Sequence, residues 1–136
     1  MAKVSIKGVL IGAIVTLLLD LVAGGALVPM LGGGPLLDLP QEEQAAALDA
    51  FSMSAPYLTG AMIIGLLTTV FGGYIAARVA KREPYLNSSL LGVVGVLIGL
   101  ALGADLPVWY NATALLLTIP ASLLGGHFAR GKASNA

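Results

Sequence analysis

The sequence predicts an all-α integral membrane protein, a four-helix bundle in which each long helix crosses the bilayer once. Of its 136 residues, 57% are hydrophobic and only 10% are charged, and the mean hydropathy is +0.93. A soluble domain of this length could not enclose so much apolar surface in one core, so lipid must surround most of it. Four apolar stretches, each long enough to cross about 30 Å of hydrocarbon, supply the helices of this single transmembrane domain.

The predicted spans are separated by segments that contain proline, glycine or charged residues. The first span follows Lys3 and Lys7, and its apolar run is too long for the core of a cleaved signal peptide, so a retained helix is predicted. Asn87 or Ser88 is the predicted N-cap of the third span, and Pro120 predicts a kink inside the fourth. The predicted boundaries are residues 8–29, 56–79, 88–104 and 107–129.

The connection between the first two spans, residues 31–54, is the one strongly polar stretch of the chain. Asp38 followed by Gln41 is typical of a helix start, and Glu42 and Glu43 suit the positive end of a helix dipole. We therefore expect a short amphipathic helix lying on the membrane surface in this extracytoplasmic connection. An alanine-rich solvated helix that only joins two spans is the alternative.

Charge is distributed very unevenly between the two ends of the spans. All seven basic residues fall at one end, whereas the acidic residues fall mainly at the other; Glu83 lies among the basic residues and Asp20 lies inside the first span. The positive-inside rule therefore places the basic end and both termini in the cytoplasm, and the protein in the cell membrane. The basic residues are Lys3, Lys7, Arg78, Lys81, Arg82, Arg130 and Lys132.

Two similar segments close the second and fourth spans. Residues 71–82 read FGGYIAARVAKR, and residues 124–130 read LGGHFAR. Their alignment predicts two parallel helical hairpins related by an axis along the membrane normal, with chance similarity among glycine-rich apolar helices as the alternative. The aligned glycine pairs are Gly72 and Gly73 in the first segment and Gly125 and Gly126 in the second.

The first of these segments, together with the glycine-rich span that follows, resembles a group of small four-span bacterial membrane proteins of unknown function. In that group a GGYxAxRxA-type segment closes the second span. The resemblance covers residues 65–99. It implies a four-helix bundle, and it implies no activity, cofactor or catalytic residue.

Glycine recurs every four residues in the third span, from Gly95 to Gly103, which leaves one helix face almost without side chains. Helices associate in lipid through close packing, so this face predicts a contact inside the bundle or between subunits. We expect the third span to make the closest helix contact of the protein or its assembly, at Gly99. The predicted packing residues are Gly92, Gly95, Gly99 and Gly103, in addition to the two aligned glycine pairs.

Asp20 is the only ionisable side chain in the middle of a span. A carboxylate there costs about 2.5 to 3.5 kcal/mol on insertion scales, and no lysine or arginine lies at that depth to pair with it. Thr118 is predicted at a similar depth, with Thr68 and Thr69 somewhat nearer the basic end. Two interpretations stay open: a proton or cation site, and a neutral carboxyl bonded to a threonine or a backbone carbonyl.

The rest of the sequence favours a protein that is not an enzyme. Cysteine is absent and His127 is the only histidine, so neither a thiol nucleophile nor a histidine metal site is predicted. There is no phosphate-binding loop, paired carboxylate or activated serine. We expect no cofactor and no nucleic-acid partner. The lipid bilayer is an expected partner.

Two functions remain after these exclusions. The favoured one is an interaction or structural protein of the membrane that packs against itself or a larger complex through its glycine-rich helix faces. The alternative is an oligomeric small transporter or channel in which Asp20, with Thr118 and Thr69 nearby, is the proton or cation site.

Overall fold

The computed structural model describes residues 4–134, with side chains as far as Arg130, and this part of the chain is built from helices joined by short turns. Four of the helices are long and apolar enough to cross a membrane, which confirms the predicted all-α membrane bundle. Lys3 and the side chain of Lys132 lie outside the described residues. The elements are α1 (Ile6–Met30), a 3-10 helix (Gly34–Asp38), α2 (Gln41–Ser52), α3 (Ala55–Ala80), α4 (Pro84–Leu102) and α5 (Val108–Ser134).

The four long helices form a ring in the order α1, α3, α5, α4. Helix α3 is the central element, because it packs extensively on α1 and α5 and also contacts α4 across the ring. Helices α1 and α4 touch only lightly. The seam between α1 and α4 is therefore the loosest side of the bundle. We use "basic end" for the end that carries Lys7, Arg78 and Arg130, and "acidic end" for the end that carries α2 and Asp105.

The two hairpins of the predicted repeat, α1 with α3 and α4 with α5, are both present but are not equivalent. A twofold relation would bring α1 onto α5 as extensively as α4 lies on α3, whereas α1 and α5 have almost no contact. Helix α4 has 19 residues and α1 has 25, so the two cannot occupy matching positions along their whole length. The likeness of the halves is confined to α3 and α5, which carry the aligned glycine pairs.

Helices α3 and α5 bring their backbones into direct contact, and glycine permits this. A Cβ atom added to Gly73 would lie 2.9 Å from the carbonyl carbon of Ser122, and one added to Gly125 would lie 2.6 Å from the backbone nitrogen of Tyr74. The same device joins α1 to α3, where a Cβ on Gly12 would lie 2.7 Å from a backbone carbonyl oxygen of α3. Small residues thus let backbones approach where lipid gives no hydrophobic drive for association.

The buried core is concentrated toward the basic end. Fully buried serine and asparagine side chains accompany the apolar ones there, and each has a hydrogen-bond partner; for example, the Ser122 hydroxyl donates to the Ser88 carbonyl oxygen. Only Leu27 and Leu58 among the buried apolar residues lie near the acidic end. The bundle is therefore tight at the basic end and more open at the other. The remaining buried apolar residues are Val9, Ala76, Ala77, Leu91 and Ala129.

The glycine row of α4 differs from the prediction. Gly92 packs on Ile119 of α5, and a Cβ on Gly95 would lie 3.3 Å from a methyl carbon of Thr118. A Cβ on Gly99, however, would meet nothing within 4 Å, and Gly99 is exposed. The expected close contact at Gly99 is therefore wrong within the chain, because this part of the row lies along a cavity and not along another helix.

Helix α4 begins earlier than predicted. Its first residue is Pro84, and the preceding turn uses two left-handed residues, Lys81 with a φ of 60° and Glu83 with a φ of 43°. Neither Asn87 nor Ser88 is the N-cap, since both lie inside the helix and are fully buried. Proline explains the early start, because its fixed φ suits the first turn of a helix and its missing N–H costs nothing there.

Asn87 instead ties three segments together. Its amide Nδ2 donates to the carbonyl oxygens of Arg82 and Glu83, each at 3.0 Å, and its Oδ1 accepts a 2.7 Å hydrogen bond from the backbone N–H of Ser5. A buried side-chain amide bonded this fully is costly to replace. The start of α1 is thereby fixed to the turn between α3 and α4.

Helix α2 is present as predicted, but its cap is not. Asp38 ends the 3-10 helix, and the N-cap residue of α2 is Pro40, which offers no side-chain hydrogen bond. Gln44 instead joins α2 to the preceding 3-10 helix, because its Nε2 donates to the Leu37 carbonyl oxygen at 2.8 Å. No residue of α2 is buried, so its contact with the membrane surface stays a prediction.

Replacing Gly125 with alanine should destabilise the bundle, whereas replacing Gly99 with alanine should not. The new Cβ at position 125 meets backbone atoms of α3, and overpacking of this kind costs about 1–3 kcal/mol. At position 99 the Cβ enters open space, and alanine favours the helix by roughly 0.5–1 kcal/mol over glycine. Thermal unfolding of both variants in mild detergent measures the difference. Equal melting temperatures for the two variants would contradict the described crossing of α3 and α5.

Replacing Asn87 with alanine should cost about 1–3 kcal/mol of stability, because buried backbone groups lose their partner. Ser89→Ala is the matched control, since its hydroxyl donates only to the Leu86 carbonyl oxygen of its own helix. Hydrogen exchange of the Ser5 amide should accelerate in the Asn87 variant alone. Unchanged exchange at Ser5 would show that Asn87 does not hold the start of α1.

Candidate functional site

A cavity of about 320 Å³ lies within the ring of long helices, in its middle and toward the acidic end. Its lining residues come from α1, α3, α4 and α5. Toward the basic end it stops near Thr16 and Leu91, whose side chains meet at Gly72. Toward the acidic end it extends to Leu106 and Tyr110. The bundle therefore encloses this space in its middle and toward the acidic end, and not at the tightly packed basic end.

Asp20 projects from α1 into this cavity and is half-buried. The hydroxyl of Thr68 on α3 lies within hydrogen-bonding distance of Asp20 Oδ1 and also lies 2.9 Å from the Gly65 carbonyl oxygen. A hydroxyl has one proton, so it can donate to only one of the two. If Asp20 is ionised, Thr68 donates to the carboxylate. If Asp20 is neutral, the acid donates to Thr68 and Thr68 donates to Gly65, so one geometry accommodates both protonation states.

The second carboxyl oxygen of Asp20, Oδ2, has no hydrogen-bond partner among the described residues. Among the described side chains, however, no buried polar atom is left without a partner. Oδ2 must therefore be accessible and not enclosed in the protein interior.

The structure brings all three predicted site residues, Asp20, Thr69 and Thr118, to the same cavity. Neither threonine bonds to Asp20, however, because the Thr69 hydroxyl donates to the Gly65 carbonyl oxygen at 2.7 Å and the Thr118 hydroxyl donates to that of Ala114 at 2.5 Å. The direct partner is Thr68. Depth along the helices is readable from the sequence, but the rotation that selects Thr68 over Thr69 depends on packing.

Two polar lining residues were not predicted as part of the site. Thr16 lies one helical turn before Asp20 on the same face of α1, a spacing that the sequence already displays. Tyr110 has the position of an interfacial aromatic residue in the sequence, yet the structure places it at the cavity. The i, i+4 spacing could have revealed Thr16, whereas Tyr110 required the fold.

The hydroxyl oxygens of the threonines in the cavity can accept hydrogen bonds. Thr16 donates its proton to the Gly12 carbonyl oxygen at 2.8 Å, just as Thr69 and Thr118 donate theirs within their own helices. Each hydroxyl oxygen keeps lone pairs that can accept further hydrogen bonds. Together with Asp20, these groups give the cavity oxygen acceptors on α1, α3 and α5. The arrangement suits a group that donates protons or carries positive charge.

The glycine row of α4 borders this site. Gly95, Gly99 and Gly103 line the cavity, and the same three residues line a second groove of about 180 Å³ with Leu100 and Leu115. Side chains at these positions would occupy the space between α4 and its neighbours. An added Cβ would meet Thr118 at Gly95 and Asn111 at Gly103, however, so the row packs closely as predicted at these positions and leaves room at Gly99.

A cysteine at position 98 should react with a charged, water-soluble thiol reagent, and a cysteine at position 97 should not. Ile98 lines the cavity, whereas Leu97 is its neighbour on α4 and is 60% exposed on the outer surface, which lipid covers. A thiol in contact with water in the cavity can ionise to the reactive thiolate, whereas a thiol in hydrocarbon cannot. The natural chain has no cysteine, so each variant carries a single thiol. Mass spectrometry after labelling in lipid nanodiscs gives the result, and an unmodified Ile98→Cys variant would contradict a water-accessible cavity.

No protein-family model, curated protein or solved structure matches this chain. The resemblance to small four-span bacterial proteins stays a prediction. The multi-pass membrane architecture rests on the four long apolar helices, and the cavity between them is the feature that bears on function.

Proposed function

We propose that this protein is a small membrane transporter in which Asp20 binds a proton or another cation. The observation that carries the proposal is the position of Asp20, which lines a cavity between the long helices and has an accessible Oδ2. Ionisable residues inside membrane spans are costly, and they typically mark ion pathways or proton relays. A carboxyl group with one oxygen fixed by Thr68 and the other free is held in place and still able to bind.

The shape of the cavity favours a transporter over an open channel. A channel needs a continuous path, whereas this cavity ends at Thr16 and Leu91, and the tightly packed crossings of α3 lie beyond them. A site that faces one side of the membrane is one of the two states that alternating access requires. The loose seam between α1 and α4 is the part of the ring that can open or close with the smallest loss of packing.

The orientation of the site follows from the distribution of charge. In this proposal the basic end faces the cytoplasm and the protein lies in the cell membrane with both termini inside. The cavity then opens away from the cytoplasm. A cation would reach Asp20 from the extracytoplasmic side, past the acidic connection that contains α2 and past Asp105.

An interaction or structural role is the second candidate, and the second groove supports it. Gly99 and Leu100 are exposed beside this groove, so another helix could approach α4 there. The two roles are compatible, since a bundle of four helices lines only a narrow space and a transport role would be favoured by a second subunit. Homo-oligomerisation, or assembly into a larger membrane complex, is accordingly part of the proposal.

Asp20→Asn should abolish cation flux in proteoliposomes that contain the purified protein. Asparagine can keep the hydrogen bond to Thr68 but can neither ionise nor neutralise a cation, so folding should survive and transport should not. Flux of protons, sodium and potassium is measured in turn with internal fluorescent indicators, and Asp20→Asn should fall to the level of protein-free vesicles.

Asp49→Asn is the matched control, because Asp49 is an exposed acidic residue of α2 outside the spans. It should transport like the natural protein. Equal flux through the natural protein and Asp20→Asn, or no flux above the protein-free level for any of the three ions, would count against Asp20 as their transport site. Size-exclusion profiles of both variants verify that each remains folded.

A further inference from the structure

The polar lining of the cavity restricts the chemistry of a ligand. Asp20 and the hydroxyls of Thr16, Thr69 and Thr118 offer oxygen acceptors, and the three hydroxyl protons are already donated within their own helices. Of the described lining residues, only the phenol of Tyr110 is a further hydroxyl donor. A bound group must therefore supply protons, positive charge or both. Anionic ligands have no cationic partner in this lining.

The apolar lining restricts the ligand further. Most of the wall is hydrocarbon, and at about 30 Å³ for each water in the liquid the cavity of about 320 Å³ would hold roughly ten water molecules. A bare monovalent ion would leave most of this space facing apolar walls. The apolar lining side chains include Leu17, Met62, Leu66, Val94, Ile98 and Leu102.

A divalent metal ion also fits the lining poorly. Calcium takes six to eight oxygen ligands, and magnesium requires a nearly ideal octahedron. In the part of the chain that the structure describes, no three Asp, Glu, His or Cys side chains come together to supply such a set. One carboxylate surrounded by apolar walls suits a single positive charge attached to an apolar body.

The loose seam of the ring gives such a molecule a route from the membrane. Helices α1 and α4 have little contact, and the hydrogen bond between them, from the Ser5 N–H to Asn87 Oδ1, lies at the basic end. The cavity lies toward the other end, where residues of α1 and α4 face each other across open space. An amphiphilic cation that partitions into the outer part of the bilayer can therefore enter sideways.

We propose that the ligand of this cavity is an amphiphilic organic ammonium ion, with its N–H groups on Asp20 Oδ2 and its apolar body along the glycine row of α4. The inference rests on the proposed cation site at Asp20 and names the class of cation. The ring of Tyr110 lines the same cavity and would add a cation–π contact to an ammonium group within about 6 Å of it. Gly99, where an added Cβ would meet nothing within 4 Å, leaves the width that the hydrocarbon body requires.

Binding of hexylammonium to the protein in lipid nanodiscs tests this assignment, with hexanol as the uncharged probe of the same length and empty nanodiscs as the baseline. Saturable binding of hexylammonium, and no saturable binding of hexanol, is expected for the natural protein. Asp20→Asn should weaken the affinity for hexylammonium about tenfold or more, because the charge-assisted hydrogen bond is lost. Equal affinity in the natural protein and Asp20→Asn would overturn the proposal.

A second pair of variants tests the cavity without touching the carboxyl group. Gly99→Leu fills the cavity from a position where a Cβ meets nothing, and it should remove hexylammonium binding. Val93→Leu, on the exposed outer face of α4, is the control and should bind normally. Binding that survives Gly99→Leu would overturn the placement of the apolar body.

The outcomes separate this inference from the proposed function. Asp20-dependent flux of protons, sodium or potassium, with no binding of hexylammonium, would overturn the organic ligand and leave the cation site standing. Hexylammonium binding that depends on Asp20, without any flux of hexylammonium or inorganic cations, would support the ligand class and overturn transport. Failure of both measurements would overturn both.

Discussion

Backbone contact at glycine is the constraint on which the rest of this bundle depends. In lipid no hydrophobic drive joins one apolar helix to another, so association requires close packing or hydrogen bonds. Gly73 and Gly125 let α3 and α5 touch, and Gly8 and Gly12 do the same for α1 on α3. All of these crossings lie toward the basic end. The close backbone crossings are therefore concentrated at one end. At the other end the helices meet through side chains, such as the Tyr57 hydroxyl that donates to the Gly24 carbonyl oxygen at 3.2 Å, and space remains between them.

This one-ended packing explains how a carboxyl group can be tolerated at mid-depth. Asp20 lies beyond the last close crossing, at the level where the ring begins to open. Thr68 fixes one of its oxygens, and the cavity leaves the other accessible. Had the glycine contacts continued to the acidic end, the carboxyl group would have been enclosed among apolar side chains and would have required a full set of protein partners. Fold and candidate site thus have a single physical origin.

Much of this architecture can be predicted from the sequence, because it depends on local hydrophobicity and charge. The four spans, the helix in the first connection and the isolation of Asp20 are all readable along the chain. What could not be predicted depends on rotation and register between helices. Thr68 and Thr69 are adjacent, and only packing decides which one meets Asp20. Gly99 belongs to a regular glycine row, but a row has the same pattern whether a helix or a cavity lies beside it.

Asn87 shows a second limit of the same kind. A polar residue just after a proline-containing turn is typical of a helix cap, and the sequence favoured that interpretation. The structure uses it inside the helix to hold the N–H of Ser5, 82 residues earlier in the chain. A hydrogen bond across that separation has no local signature. Its consequence is nevertheless central, because it joins α1 to α4 at the basic end while the seam beyond it stays loose.

The central claim is that water reaches the Asp20 carboxyl inside the membrane span. Solid-state NMR in bilayers, with ¹³C-labelled aspartate and magnetisation transferred from water, measures this contact directly. Asp38, Asp49 and Asp105 are exposed outside the spans and give internal references for wet carboxyl groups, and Asp20→Asn assigns the remaining signal. The structure predicts that the Asp20 carboxyl signal builds up from water at a rate close to that of the three references. A signal that stays absent while the three references appear would show a dry, enclosed carboxyl group and would contradict the account.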